Sequence, residues 1–156
     1  MNVRELMTTD PAACTPQDTL TLAGHIMRQR RCGFVPVVDD QTTKRVIGVL
    51  TDRDIALYLT QTDVRAAQVK VEACMTKAPN TTAPEAELEE AARIMEQHAV
   101  HRLPVVEDGK LAGVLSLKDI ARAARTEWAG TGPRRAEQQM GDILEAIAAA
   151  QATRKD

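Results

Sequence analysis

The chain has 156 residues, 20 Lys and Arg against 22 Asp and Glu, and a formal net charge of −2. That balance leaves no field to steer it onto DNA or an anionic membrane. Its only aromatic residues, Phe34, Tyr58 and Trp128, leave no platform for stacking bases, and no apolar run approaches the roughly 20 residues of a membrane span.

The core must therefore be built from Val, Leu, Ile, Ala and Met, in one ordinary domain or two small units sharing a core. The N-terminal MNVRELMTTD has no signal-peptide apolar region. Cys14, Cys32 and Cys74 are odd in number and share no close spacing, which points to reduced thiols rather than a disulfide framework. A cytoplasmic protein without nucleic-acid or membrane partners is expected.

In chain order, Val3 to Met7 reads as a short helical lead-in ended by Thr8-Thr9-Asp10-Pro11, and Ala12 to Thr15 as a short extended piece. Asp18 or Thr19 caps a helix burying Leu20, Leu22, Ala23, Ile26 and Met27, with Arg28, Arg30 and Arg31 in its last turn, where cations suit the helix dipole. Phe34 to Val38 and Arg45 to Leu50 read as a hairpin around Asp39-Asp40. Thr51 to Leu59 reads as a second helix with Ile55, Leu57 and Leu59 apolar, and Thr60 to Gln68 is polar and unpatterned.

The order then repeats. Met75 to Pro79 leads in, Thr81-Thr82 is a short strand, and a helix opens at Pro84-Glu85 and runs to about Gln97. Arg102 to Val106 and Lys110 to Leu115 form a second hairpin, and Ser116 to about Arg125 a closing helix. The coincidences are positional. At an offset of 68 residues Met7 falls on Met75, Pro11 on Pro79, Pro16 on Pro84, Ala23 on Ala91 and Pro36-Val37-Val38 on Pro104-Val105-Val106. After a shortening of the second hairpin, Gly48 falls on Gly113. Composition alone does not place so many matches in one order, so the chain is an internal duplication.

The expected fold class is α+β (mixed α/β): two β-α-β-β-α units packed sheet to sheet about a pseudo-two-fold axis, plus a C-terminal helix. The first unit spans 1–59, a linker 60–68, the second unit 69–125, and a linker with a helical tail 126–156. In the tail, Met140, Ile143, Leu144 and Ile147 recur at helical spacing, either folded back on their own unit or in contact with a second copy.

Chemistry concentrates at one repeated corner. Gly48-Val49-Leu50-Thr51 and Gly113-Val114-Leu115-Ser116 each lead into a helix with an Asp three residues on, Asp54 or Asp119. Ser or Thr followed by an acid at that spacing is a capping box, in which two side chains satisfy free N–H groups. The same corner is also an anion site, because a helix N-terminus offers N–H groups and positive potential. Arg53 and Lys118 add cations, and a carboxylate there suits the two hydroxyls of a ribose.

The duplicated unit with its Gly-x-x-Thr/Ser-x-x-Asp corner resembles a tandem pair of cystathionine-β-synthase-type (CBS) domains, a Bateman module, over about Val3 to Arg125. The resemblance implies a regulatory protein, not an enzyme. It would bind an adenosine-containing ligand (AMP, ADP, ATP or S-adenosylmethionine) in clefts between the units and signal to a separate, unidentified protein partner. It also implies a homodimer and no catalytic cofactor. Carried over, Thr51, Arg53 and Asp54 would share one pocket with Val100, His101, Arg102, Leu103 and Pro104. Ser116, Lys118 and Asp119 would share the other with Cys32, Gly33, Phe34, Val35 and Pro36. Met7 and Met75 would close the first and the second pocket, respectively, around the base.

Val100-His101-Arg102-Leu103 further resembles a segment of the nucleotide-sensing subunit of AMP-activated protein kinase, which implies His101 and Arg102 on phosphate. Gly33-Phe34 offers no charge, so unequal pockets are expected, with the Asp54 pocket, which receives His101 and Arg102 in this reading, the one expected to take phosphate. The rival expectation is a nucleotide-free structural or oligomerisation module. The cysteines with His25, His98 and His101 lack a Cys-x-x-Cys or His-x-x-x-His spacing, so neither a metal site nor a thiol nucleophile is expected.

Overall fold

A computed structural model of the chain describes residues 1–123. The tail expected over 126–156, its apolar stripe included, lies outside the described residues. Two compact bodies are present. The first-repeat body comprises Asp10–Pro79 with Val106–Ala112. The second-repeat body comprises, among the described residues, Met1–Thr9, Asn80–Val105 and 113–123. Among the described residues no helix is long and apolar enough to cross a membrane.

In the first-repeat body, α1 (Leu20–Arg30) starts at Thr19, whose hydroxyl accepts the Leu22 N–H at 3.2 Å. Strands β2 (Phe34–Val38) and β3 (Val46–Thr51) form an antiparallel hairpin that sets Phe34 opposite Thr51. Helix α2 (Asp52–Thr62) follows directly, running past the expected Leu59. The third strand of this sheet, β4 (Thr76–Lys77), pairs with β3 and belongs in sequence to the second repeat's lead-in.

The second-repeat body repeats the plan with the exchange reversed. Helix α3 (Leu88–Gln97) precedes β5 (Arg102–Glu107) and β6 (Lys110–Ser116), and helix α4 occupies described residues 117–123. Its third strand is β1 (Thr8–Thr9), from the first repeat's lead-in, with Thr8 opposite Val114 and Thr9 opposite Gly113. Each sheet is mixed from both copies, where each unit was expected to supply its own three strands. A hairpin alone is marginal in water, and the borrowed strand completes it.

The exchange reaches the cores. Val3, wholly buried, packs with Ala91, Met95, Leu103, Val105, Leu115 and Ile120. Its counterpart Val71 packs with Leu20, Ala23, Met27, Val35, Val37 and Leu50. The backbone follows suit. Val3 and Arg4 N–H groups donate to the Ala86 and Pro84 carbonyls at 2.9 Å each, and Val71 and Glu72 N–H groups to the Asp18 and Pro16 carbonyls at 2.8 and 3.1 Å. Because Pro84 and Ala86 face the lead-in, α3 begins at Leu88 rather than at Pro84-Glu85. Leu22, expected on the buried side of α1, stands 43% exposed, and Leu57, one of the apolar residues of α2, 47%.

Candidate functional site

Each corner is reached from a helix end. At α1, the N–H of Cys32 donates to the Met27 carbonyl at 3.0 Å and that of Arg31 to Arg28 at 3.3 Å. At α3, Val100 donates to Met95 at 2.9 Å and Ala99 to Glu96 at 3.1 Å. These are paired Schellman bonds, with Arg31 and Ala99 left-handed at φ 51° and 50°. The motif turns the chain sharply, so Cys32-Gly33 and Val100-His101 enter the first hairpin strands beside the strand–helix corners.

Both corners close as full capping boxes. Asp54 Oδ2 accepts the Thr51 N–H at 2.9 Å and hydroxyl at 2.7 Å, while Thr51 Oγ1 accepts the Asp54 N–H at 3.1 Å. Asp119 Oδ2 accepts the Ser116 N–H at 3.1 Å and hydroxyl at 2.5 Å, and Ser116 Oγ accepts the Asp119 N–H at 3.2 Å. The capping role is thus realised, and it uses one carboxylate oxygen of each Asp. Asp119 Oδ1 has the Arg122 guanidinium at 3.4 Å.

The second-repeat corner opens into a hollow of about 280 Å³ lined by His101, Arg102, Ser116, Leu117, Lys118 and Ala121. That volume lies just below the usual range for small-molecule sites, roughly 300–1,000 Å³. It is bounded by a hydroxyl, two cations and the start of α4. The Leu117 N–H donates to the His101 carbonyl at 2.9 Å, tying the approach strand to the helix. His101 Nε2 is buried without a hydrogen-bond partner among the described residues. A buried polar atom left so costs free energy until something pairs with it.

The first-repeat corner differs. Here Gly33 stands where the other copy has His101, and its carbonyl accepts the Asp52 N–H at 3.2 Å. Cys74, from the borrowed lead-in, has its thiol pushed up, first by burial and then by the Asp54 carboxylate. Nothing in its spacing marked Cys74 for this place, since the lead-in exchange puts it there. Leu117 and Ala121 were likewise missed, being apolar members of a helix read only for its cap.

The expected residues are distributed as follows. His101 and Arg102 share a hollow with Ser116 and Lys118 rather than with Thr51 and Asp54 as expected, and Gly33 lies against Asp52. Each approach segment adjoins its own copy's corner, so the charges expected to meet phosphate beside Asp54 stand beside Asp119 instead. Met7 lies against Gly113, in the body carrying Asp119, and Met75 against Gly48, in the body carrying Asp54. That is the reverse of the expected order, because each lead-in strand joins the other repeat's sheet. Val35, Pro36 and Leu103 are fully buried. Val35 and Leu103 are members of the two apolar cores, so a ligand reaches them only through main-chain atoms. Cys32 Sγ donates to the Phe34 carbonyl at 3.2 Å. Among the described residues no three His, Cys, Asp or Glu side chains are grouped to hold a metal.

Comparison with known proteins bears on the family and the fold. The CBS domain profile matches residues 3–61 and 69–126. The chain is 38% identical over 120 residues to the CBS domain-containing protein YhcV of Bacillus subtilis, covering 77% of this chain and 83% of that protein. It is 33% identical over 148 residues to the inosine-5'-monophosphate dehydrogenase of Staphylococcus epidermidis, covering 94% of this chain and 28% of the enzyme's length. Among solved structures, CBSX2 in complex with AMP superposes with a TM-score of 0.68 at 28% identity, over 81% of this chain and 97% of that one.

Proposed function

The chain belongs to the CBS-domain family, and on that premise we propose that it is a regulatory module binding an adenosine-containing nucleotide and passing the signal to a partner. The observation that carries this is the hollow beside the Ser116–Asp119 corner. It gathers Arg102 and Lys118, the hydroxyl of Ser116 and the buried Nε2 of His101, which has no partner among the described residues, around the start of a helix. Those are the groups a phosphate needs: charge, donors and a helix N-terminus. Asp119, whose hydrogen bonds within its capping box fall on Oδ2 alone, keeps acceptor capacity on Oδ1 for ribose hydroxyls. The solved AMP complex of CBSX2 is in keeping with that ligand class.

In this proposal the chain does no chemistry on the ligand, and the output is conformational. A ligand shifts a partner only by its difference in affinity between two states of the module. The match to a catalytic protein over only 28% of its length is consistent with such a module serving a larger assembly. A cytoplasmic homodimer is the working form in this proposal.

A second reading has one observation in its favour. Both capping boxes are complete without any ligand, as a purely structural or oligomerisation module requires. Thermal melts with AMP, ADP, ATP, S-adenosylmethionine and NADH separate the two. A ligand at about 100 times its dissociation constant adds about 2.7 kcal/mol, so the sensing module melts higher with at least one member of that panel. Unchanged melting with all five leaves the structural reading standing.

A further inference from the structure

The two corners differ in how their helix N-termini are satisfied. In α2 the first three N–H groups are all taken: Asp52 by the Gly33 carbonyl at 3.2 Å, Arg53 by Asp52 Oδ1 at 2.8 Å, and Asp54 by Thr51 Oγ1 at 3.1 Å. In α4 the Leu117 N–H meets the His101 carbonyl at 2.9 Å and the Asp119 N–H meets Ser116 Oγ at 3.2 Å. The N–H between them, on Lys118, has no acceptor among the described residues, and Lys118 lines the hollow.

The difference traces to one side chain. Asp52 stands where the second copy has Leu117, and its carboxylate lies over Gly33. A Cβ on Gly33 would come within 2.7 Å of Asp52 Cγ and 2.9 Å of its Oδ1. The missing side chain is what lets the carboxylate rest there. At this corner two carboxylates, Asp52 and Asp54, face one cation, Arg53. At the other, three cations, Arg102, Lys118 and Arg122, stand beside one carboxylate, Asp119. A phosphate arriving at α2 would find its N–H already bound and a negative charge beside it, a repulsive element built against one class of ligand.

We infer that Asp52 is a specificity residue that denies phosphate to the first-repeat corner, leaving one phosphate-accepting corner per chain, beside Ser116 and Asp119. Whatever binds near Thr51 and Asp54 brings no negative charge to the helix start. This rests on the nucleotide-binding reading above and adds to it the charge of the ligand and the number of sites.

Titration calorimetry with AMP tests it on the wild-type chain, Asp52→Leu and Asp52→Asn, each checked for folding by its thermal melt. Asp52 is exposed, and Asn keeps its shape while removing its charge. The expected result is one AMP per wild-type chain and two per Asp52→Leu chain, the original site changing less than about twofold. Two equivalents in the wild type, or one in both folded variants, overturns the inference while leaving nucleotide binding intact. No AMP bound by any of the three overturns this inference, and it removes the functional reading as well where the melts with all five ligands are also unchanged.

Discussion

Met7 lies on Gly113: its Sδ is 2.8 Å from where a Cβ on that glycine would stand, and the Thr8 carbonyl oxygen is 2.9 Å from the same point. Met75 and the Thr76 carbonyl bear on Gly48 in the same way, at 3.0 and 2.9 Å. The glycine of each strand is therefore the seat of the borrowed lead-in. A methyl group there meets main chain that cannot swing aside.

Gly113→Ala and Gly48→Ala should each destabilise the protein by about 1–3 kcal/mol, the usual cost of overpacking. Gly24, in the middle of α1, has nothing within 4 Å of its would-be Cβ. Gly24→Ala should stabilise by about 0.5–1 kcal/mol, since alanine costs less to order in a helix. Urea titrations of the three variants check the opposite signs. Equal and small effects would mean the lead-in strands do not sit on these glycines.

Ala99 holds a left-handed conformation at φ 50° where glycine is preferred. Ala99→Gly should add about 1 kcal/mol, which for a chain of this size raises Tm by about 2–4 °C. Calorimetric melts measure it. A fall in Tm would show that the turn into His101 is not strained.

Asp119 serves a cap and, in the proposed function, a ribose. Asp119→Ala should cost about 1 kcal/mol of stability from the lost cap together with AMP affinity. Asp119→Asn keeps an acceptor for the Ser116 N–H and hydroxyl, so it should retain most of that stability while weakening AMP about tenfold. A variant that binds AMP like the wild type would confine Asp119 to capping.

Arg102 has no ion-pair partner among the described residues, so its charge is available in the hollow. A charge-assisted contact to phosphate is worth roughly 1.5–3 kcal/mol. At 1.4 kcal/mol per tenfold, Arg102→Ala should weaken AMP by about 10- to 150-fold while leaving adenosine, which has no phosphate, nearly unaffected. Calorimetry with both ligands reads the difference. Equal losses for the two would place Arg102 away from the phosphate.

Burial, with a smaller contribution from the Asp18 carboxylate, pushes the Cys14 thiol up from 9.0 to about 12. The unfolded thiol loses its proton near 9 while the folded one keeps it. The folded state therefore binds more protons between those values, and stability falls as pH rises through that window, by up to about 1.4 kcal/mol per pH unit. Below pH 9 the thiol has no such effect. Urea melts between pH 8.5 and 11 should show that slope in the wild type and its loss in Cys14→Ala. The same slope in both would assign it to other groups.

Much of the molecule was legible in local pattern. The hairpins of β2–β3 and β5–β6 follow from apolar runs around acidic turns, and both capping boxes from Thr51-x-x-Asp54 and Ser116-x-x-Asp119. The buried faces of α1 and α3 follow from Leu20, Ala23 and Met27 and from Ala91 and Met95. The family resemblance rested on the same residues, and the CBS domain match over 3–61 and 69–126 agrees with it. Leu22 and Leu57 mark the limit of such reading, because apolar character does not say which neighbour is present to cover it.

The sequence by itself determined the duplication, the order of elements within each copy and the chemistry of the repeated corner, because these depend on periodicity, turns and caps within a few residues of one another. Only the tertiary structure decided that Thr8-Thr9 and Thr76-Lys77 cross to the other copy's sheet, that Met7 and Met75 change sides, and that Asp52 settles over Gly33 while the Lys118 N–H has no acceptor among the described residues. Two-residue strands carry no periodicity to read. Which acceptor a backbone N–H finds depends on what the fold brings beside it from some 50 to 100 residues away along the chain, as with Val3 and Ala86 or Thr9 and Gly113.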